Sequence, residues 1–398
     1  MNEKLIGLGC SECGNFYGPD EAPYLCPSCG GVLETVYDYE KIGKFEGKDL
    51  WRYNPLLPTT NRTNLWVGGT PLYKPAILNE KLGLDFWIKD ETQNPTHSLK
   101  DRASAIVVML GKELGYKGVA CASTGNAATS LAGISASEGL KSYIFAPKTI
   151  SAPKLAQLQA FGAKILKIDA SYDDCYDICN HFAKEYNWYN RNTAYNPYTI
   201  DGKKTVAFEI AEELHWEVPD RIYVPVGDGC IISSVWKGFI ELEKIGLTDK
   251  LPELIGVQAE GCSPLKEAFD KRLDRCEKVK PNTLADSIAV GKPRNGFMAL
   301  RDVRNSKGRF VSVTDEEMFQ AMRLLGSTTG IFGELAAVAS VAAAIKETGR
   351  NAETESAIAL ITGSGLKGNV WELFSDKIQM IEADEDKIRE YIEADARG

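Results

Sequence analysis

Apolar residues along the chain fall mostly into short runs rather than long alternations. Phe86-Trp87-Ile88, Gly118 to Ala122, Tyr143 to Ala146, Lys164 to Ile168, Ile222 to Val226, Leu254 to Gln258 and Ala357 to Ile361 are each bounded by glycine or a polar loop. Runs of that length predict strands, and continuous ones predict strands covered on both faces. Helical spacing lies between them. Ile106, Val107, Leu110 and Leu114 share one face, a small-residue helix follows Gly125, and Ser151 is placed to cap a helix with Pro153 in its first turn. Strands alternating with helices imply βαβ units, parallel sheets and an α/β fold class. Residues 1 to about 45 break the rhythm, being rich in Cys, Gly and Tyr, and the segment from about 385 onward reads as a charged terminal helix.

Composition narrows the partners. The 398 residues carry 46 Lys+Arg against 55 Asp+Glu, a net charge of −9. A protein of nucleic acid or of the membrane surface usually presents a basic excess, so neither is expected as a partner and a small molecule is. The N-terminus lacks a basic segment followed by an apolar stretch, and the longest mostly apolar stretch, Leu335 to Ile345, is far short of a membrane span. A cytoplasmic location is the expectation, and there ten cysteines are better explained as metal ligands, buried hydrophobes or catalytic groups than as disulfides.

Four of those cysteines lie in the first 29 residues, as Cys10-x2-Cys13 and Cys26-x2-Cys29, each pair followed by glycine. Two such turns can present four thiolates tetrahedrally to zinc, and so short a module needs a staple. A structural zinc ribbon is therefore expected, against a redox pair or a metal-free ribbon. A site closed by four thiolates has no catalytic role. Cys175 and Cys179, one helical turn apart, read as core.

In α/β folds ligands bind outside the carboxyl ends of the strands. Four loops there carry chemistry. In Asn94-Pro-Thr-His-Ser-Leu-Lys-Asp-Arg102, Lys100 opens a helix, where the macrodipole disfavours its charge and makes it a better nucleophile; the alternative is a solvated lysine paired with Asp101. Ser123-Thr124-Gly125-Asn126 forms a helix N-terminus suited to a carboxylate, or simply a cap. Gly227-Asp228-Gly229-Cys230-Ile231 is a glycine turn that can hold phosphate, although Asp228 would repel it unless turned away. Gly363-Ser-Gly-Leu-Lys-Gly368 satisfies G-x-G-x-x-G, yet no later strand completes a dinucleotide-binding unit; Thr362 before it could meet a ring nitrogen.

Together these loops resemble one family. NPTHSLKDR, STGN, PVGDGC and ITGSGLK, with GGTPL at Gly68, GKKT at Gly202 and TTGIFGE at Thr328, are similar in order and spacing to the threonine synthases. The resemblance implies a tryptophan-synthase-β-like fold (fold type II) with two lobes: 46–103 and 198–398 as a large cofactor domain, 104–197 as a small one, and 1–45 as the ribbon. It also implies pyridoxal 5'-phosphate attached to Lys100. Asn126 would face the cofactor's phenolic oxygen, Gly227, Asp228, Gly229, Cys230 and Ile231 its phosphate, and Thr362 its pyridine nitrogen; Ser123 and Thr124 would bind the substrate carboxylate. The implied reaction converts O-phospho-L-homoserine and water to L-threonine and phosphate, in a homodimer.

The chain departs from that family at His97, Leu99, Ser364 and the Gly-Asp-Gly-Cys loop, which lacks the usual asparagines. Backbone amides, with Ser233 or Ser234, are left to hold the cofactor phosphate, and His97 adds a titratable group near Lys100. These changes keep open β-elimination or β-replacement on serine, threonine or O-phosphoserine, of the ammonia-lyase or cysteate-synthase type. A binding protein that has lost the cofactor is a third reading.

Overall fold

A computed structural model describes all residues except 20, 22, 41, 84, 124, 349–355, 369–373, 375–379 and 396–398. Met1–Gly368 forms one compact unit and Asn369–Gly398 a second. The first unit opens with a three-stranded antiparallel sheet of β1 (Leu5–Cys10), β2 (Phe16–Tyr17) and β3 (Leu33–Tyr37), in the order β2-β1-β3. Buried and half-buried residues alternate along β3, so the sheet has one face on the core.

The chain then lays down β4 (Leu72–Tyr73), α1 (Ala76–Leu82), β5 (Asp85–Asp90) and α2 (Lys100–Glu113). It leaves to build a parallel sheet from β6 (Gly118–Ala122), β7 (Lys141–Pro147), β8 (Lys164–Ile168) and β9 (Tyr189–Asn190), ordered β8-β7-β6-β9. Its helices are α3 (Asn126–Ser137), α4 (Ala152–Ala160) and α5 (Tyr172–Glu185). After α6 (Tyr198–Glu213) the chain returns with β10 (Arg221–Pro225), α7 (Cys230–Lys244), β11 (Glu253–Ala259), α8 (Pro264–Asp270), α9 (Gly296–Asn305) and β12 (Arg309–Val313). The last elements of this unit are α10 (Asp315–Thr329), α11 (Leu335–Lys346) and β13 (Ser356–Ile361), giving the order β12-β11-β10-β13-β5-β4. Only β4 runs antiparallel in that six-stranded sheet. In the second unit, α12 (Glu385–Asp395) is the charged terminal helix expected from the sequence.

Every apolar run expected as a strand is one. The capping expectation fails at Ser151: it occupies the N-cap of α4, but its hydroxyl makes no cap bond and has no partner. The one-faced reading of α2 also fails, because residues 101–111 are buried all round while Leu114, just past its end, is 45% exposed. α2 packs between α3 and α6. A Cβ at Gly202 of α6 would lie 2.0 Å from the Arg102 carbonyl oxygen, so only glycine permits this crossing.

Arg102, fully buried on α2, is held by two carboxylates. It donates to Glu91 Oε2 and Oε1 (both 2.7 Å) and to Glu209 Oε1 (2.7 Å) and Oε2 (2.6 Å). Although burial opposes ionisation, Arg102 and Lys89 hold the Glu209 carboxyl well below the usual range. This network ties the helix that begins with Lys100 to β5, on which Lys89 lies, and to α6.

Candidate active site

The loops that leave β5, β6, β10 and β13 meet at a cavity of about 360 Å³, within the range of small-molecule sites. Lys100, Ser123, Asn126, Gly227, Asp228, Gly229, Cys230, Ile231 and Thr362 all line it. Thr124 lies outside the described residues.

Lys100 is the first residue of α2. The alternative of a solvated pair with Asp101 is excluded, since Asp101 is fully buried and accepts from Thr96 N (2.6 Å) and Thr96 Oγ1 (2.5 Å). Burial, reinforced by the Arg191 guanidinium, pushes the Lys100 amine below its ordinary value. An amine so placed is unprotonated more of the time and available as nucleophile and base.

Asn126 opens α3 and donates to Glu334 Oε1 (2.7 Å), while its Oδ1 is buried without a partner. Burial raises the Glu334 carboxyl. Ser123 Oγ accepts from Gly125 N (3.0 Å), which leaves its own hydrogen to donate into the cavity. Thr362 is 9% exposed, and its carbonyl accepts from Leu99 N (2.9 Å), fixing the strand tip beside Lys100.

The Asp228 difficulty is resolved by orientation. Asp228 Oδ1 accepts from Arg294 N (3.1 Å), and the Asp228 carbonyl accepts from Asn295 N (3.0 Å). Arg294 continues to Asp173 Oδ1 (2.6 Å), with its guanidinium over the Tyr176 ring at 4.0 Å. The next residue, Gly229, has φ 90° and caps α7 without any side-chain bond, so the first amides of that helix face the cavity uncovered.

Two expectations change here. Ser233 and Ser234 are engaged inside the protein: Ser233 Oγ accepts from Asn295 Nδ2 (3.1 Å) and Ser234 Oγ donates to the Cys230 carbonyl (2.6 Å). His97 is exposed at φ 62°, with Nδ1 3.2 Å from the Thr92 carbonyl, and is not among the cavity's lining residues. The G-x-G-x-x-G segment forms a short 3-10 turn, in which buried Lys367 donates to the Thr96 carbonyl (2.7 Å) and Thr129 Oγ1 (2.8 Å). Sequence reasoning gave no role to Glu334, to the segment from Thr283 to Val290, or to Tyr172, all of which contribute to the cavity wall. Their only signal was membership of TTGIFGE for Glu334; the others lie in loops or helix starts without a motif.

In the N-terminal segment, the ligand atoms of Cys10, Cys13, Cys26 and Cys29 lie within 4.8 Å of one another. Cys10 Sγ is 3.5 Å from Cys29 Sγ, and Cys13 Sγ is 3.6 Å from Cys26 Sγ. A tetrahedron with 2.3 Å metal–sulfur bonds has edges of about 3.8 Å, so the four thiols fit it. Gly14 and Gly30, both left-handed, close the two turns by donating to the Cys10 and Cys26 carbonyls.

The fold and the site define an enzyme of small molecules with a buried amine where four strand-end loops meet. The family described as pyridoxal-phosphate dependent enzyme matches residues 63–363, and the chain belongs to it. Its curated relatives include threonine synthases. The chain is 41% identical over 374 residues to that of Methanocaldococcus jannaschii, covering 90% of this chain and 92% of the other. It is 38% identical over 401 residues to that of Methanosarcina acetivorans, covering 98% and 99%. Among solved structures, maize serine racemase superposes with a TM-score of 0.67 at 21% identity, covering 82% of this chain and 93% of the other. The processed threonine deaminase isoform 2 of Solanum lycopersicum superposes at 0.63, again with 21% identity, covering 81% and 87%. These neighbours establish the fold as type II of the pyridoxal-phosphate enzymes.

Proposed function

We infer that the protein acts as a threonine synthase, converting O-phospho-L-homoserine and water to L-threonine and phosphate. The observation that carries this reading is Lys100: a lysine with a depressed amine pKa at the meeting of four strand-end loops, in a chain 41% identical to a threonine synthase. Lys100, Asn126, the amides from Gly227 to Ile231, and Thr362 are the groups that would hold pyridoxal phosphate. The uncapped α7, the Asp228 carboxylate engaged by the Arg294 amide and the unpartnered Asn126 Oδ1 fit that use.

When bound, the cofactor supplies an electron sink for negative charge developing beside the substrate amine. The protein's part is to position and move protons. Ser123, whose hydroxyl hydrogen is free to donate, would orient the substrate carboxylate. Lys100 Nζ, whose amine burial pushes below its ordinary value, would take the α-proton and return protons to the substrate. Thr362 would offer the cofactor's ring nitrogen a neutral hydroxyl rather than a carboxylate, which would not enforce a proton on it.

The test is a substrate panel. With O-phospho-L-homoserine, phosphate and threonine are expected in equal amounts; no phosphate release, with keto acid formed from serine or threonine, would overturn the assignment in favour of an ammonia-lyase.

The four cysteines support a structural zinc at the ribbon. Freshly purified, reduced protein is expected to contain about one zinc per chain, and Cys13→Ser with Cys29→Ser to lose it and lower the thermal midpoint. Metal analysis that finds no zinc in the wild type sinks this part. The remaining elements of the reading are a homodimer, a cytoplasmic location, and domain boundaries at 1–45, 46–103 with 198–398, and 104–197. The boundaries are supported by the way β6 to β9 form their own sheet, and the location agrees with the finding that none of the described helices is long and apolar enough to cross a membrane.

A further inference from the structure

The N-terminus of α7 offers a phosphate little besides backbone. Asp228 faces Arg294, both serines are engaged, and Ile231 and Ile232 are apolar. A dianion held there has only the helix amides and dipole to offset its charge.

A cation stands beside it. α6 passes between α2 and α7, close to α2 at Gly202 and close to α7 at Gly238, where a Cβ would lie 2.7 Å from the Lys204 carbonyl oxygen. The two lysines after Gly202 then diverge. Lys204 pairs with Asp201 Oδ1 and Glu241 Oε2, both at 2.7 Å, with its ammonium 4.4 Å from the Tyr37 ring centroid. Lys203 is 1% exposed, and its Nζ has no hydrogen-bond partner. The ionisable groups that act on it are Cys230, Arg191, Lys100 and Asp228, which surround the start of α7. Ile200, one turn earlier on α6, packs with Cys230 in the same buried cluster. Arg191 is fully buried too, with Nη2 unpartnered. Two amines and one guanidinium thus lie near a single carboxylate, already bonded to the Arg294 amide, and one buried thiol.

We propose that Lys203 Nζ is a ligand of the cofactor's 5'-phosphate, supplying from α6 the charge and side-chain donor that the Gly-Asp-Gly-Cys loop lacks. The inference rests on the reading that the chain binds pyridoxal phosphate. Burial holds the Lys203 amine down to about 7 in the absence of an anion, so an arriving phosphate recharges it. The cofactor is favoured over the substrate as the source of the phosphate because Ile200, one turn before Lys203 on α6, packs with Cys230, the first residue of α7, where the loop amides expected to hold the cofactor phosphate begin.

The test compares Lys203→Met and Lys203→Gln with wild type as full-length apoprotein, titrated with pyridoxal phosphate and with pyridoxal. Loss of one charge-assisted bond predicts an affinity for pyridoxal phosphate lower by about 10- to 100-fold, with pyridoxal affinity within about threefold of wild type. The phosphorus resonance of the bound cofactor is expected to shift. The urea midpoint of the apoprotein is expected to stay level or rise, because an unpaired buried ammonium is removed. Equal weakening of both aldehydes with a lower apoprotein midpoint would make Lys203 a structural brace and overturn the inference. Unchanged cofactor affinity with a raised KM for O-phospho-L-homoserine would assign the phosphate to the substrate and overturn it as well. Wild type that binds neither aldehyde overturns the cofactor reading, a failure read in a separate arm from the variants.

Discussion

Replacing Lys100 by alanine is expected to abolish covalent attachment of pyridoxal phosphate and lower turnover by about 10³-fold or more, the scale of losing both a nucleophile and a general base. The magnitude follows from the surroundings. Among the described residues the other buried amines are committed elsewhere: Lys154 is paired with Asp286 Oδ2 at 2.6 Å, Lys367 is spent on Thr96 and Thr129, and Lys203 is assigned to the cofactor phosphate. Arg191 keeps the Lys100 amine depressed but cannot replace it, since a guanidinium does not give up its proton. Lys100→Arg is therefore expected to fail as completely as alanine, which separates loss of a free amine from loss of charge. The sign of the pH dependence follows from the lowered pKa: activity falls as pH drops through that value and the amine takes a proton. Cofactor absorbance and single-turnover phosphate release measure these effects, and the variants should remain folded because Asp101 is satisfied by Thr96. An alanine variant that keeps a tenth of wild-type turnover would remove Lys100 from the chemistry.

Much of this site was legible because strand-end loops are written in contiguous residues. Ser123, Asn126, Gly229 and Thr362 each sit within a few residues of an apolar run, Lys100 ends the loop that follows another, and βαβ geometry brings such ends together. What was illegible depends on contacts between distant segments. Lys203 and Lys204 are neighbours in GKKT, and nothing local says that one meets Asp201 and Glu241 while the other faces Cys230. The orientation of Asp228 is set by Arg294, 66 residues away, in a segment without regular pattern. β1 and β3 escaped notice because Gly7 and Gly9 interrupt the first and the second is half-polar, so neither shows a continuous run. β12, an edge strand with half-buried positions, escaped for the same reason. Ser233 and Ser234 show the reverse error: residue type and position suggested phosphate donors, but Asn295 and the helix backbone had already claimed them.

Arg102→Met is expected to destabilise the fold by about 3–5 kcal/mol, the cost of leaving buried carboxylates without their cation. Glu91 and Glu209 are both fully buried and each gives both oxygens to this one guanidinium. Their remaining partners are weaker or shared. Glu91 keeps Asn94 Nδ2 (2.8 Å) and Thr70 Oγ1 (2.6 Å), while Glu209 keeps Lys89 (3.1 Å) and the Gly69 amide (2.8 Å). Since Lys89 is also paired with Glu213, it cannot neutralise two further charges. Arg102→Lys should recover little, because an ammonium cannot span two carboxylates bidentately. If the loss comes from stranded charge rather than lost packing, adding Glu209→Gln to Arg102→Met should cost less than the sum of the two single changes, a coupling measurable by urea unfolding of the apoproteins. A loss below about 1 kcal/mol for Arg102→Met would mean that water reaches the network on opening. Because Arg102 lies two residues after Lys100 on α2, the same substitution should also weaken cofactor attachment, and the Glu209→Gln background should restore part of both properties together.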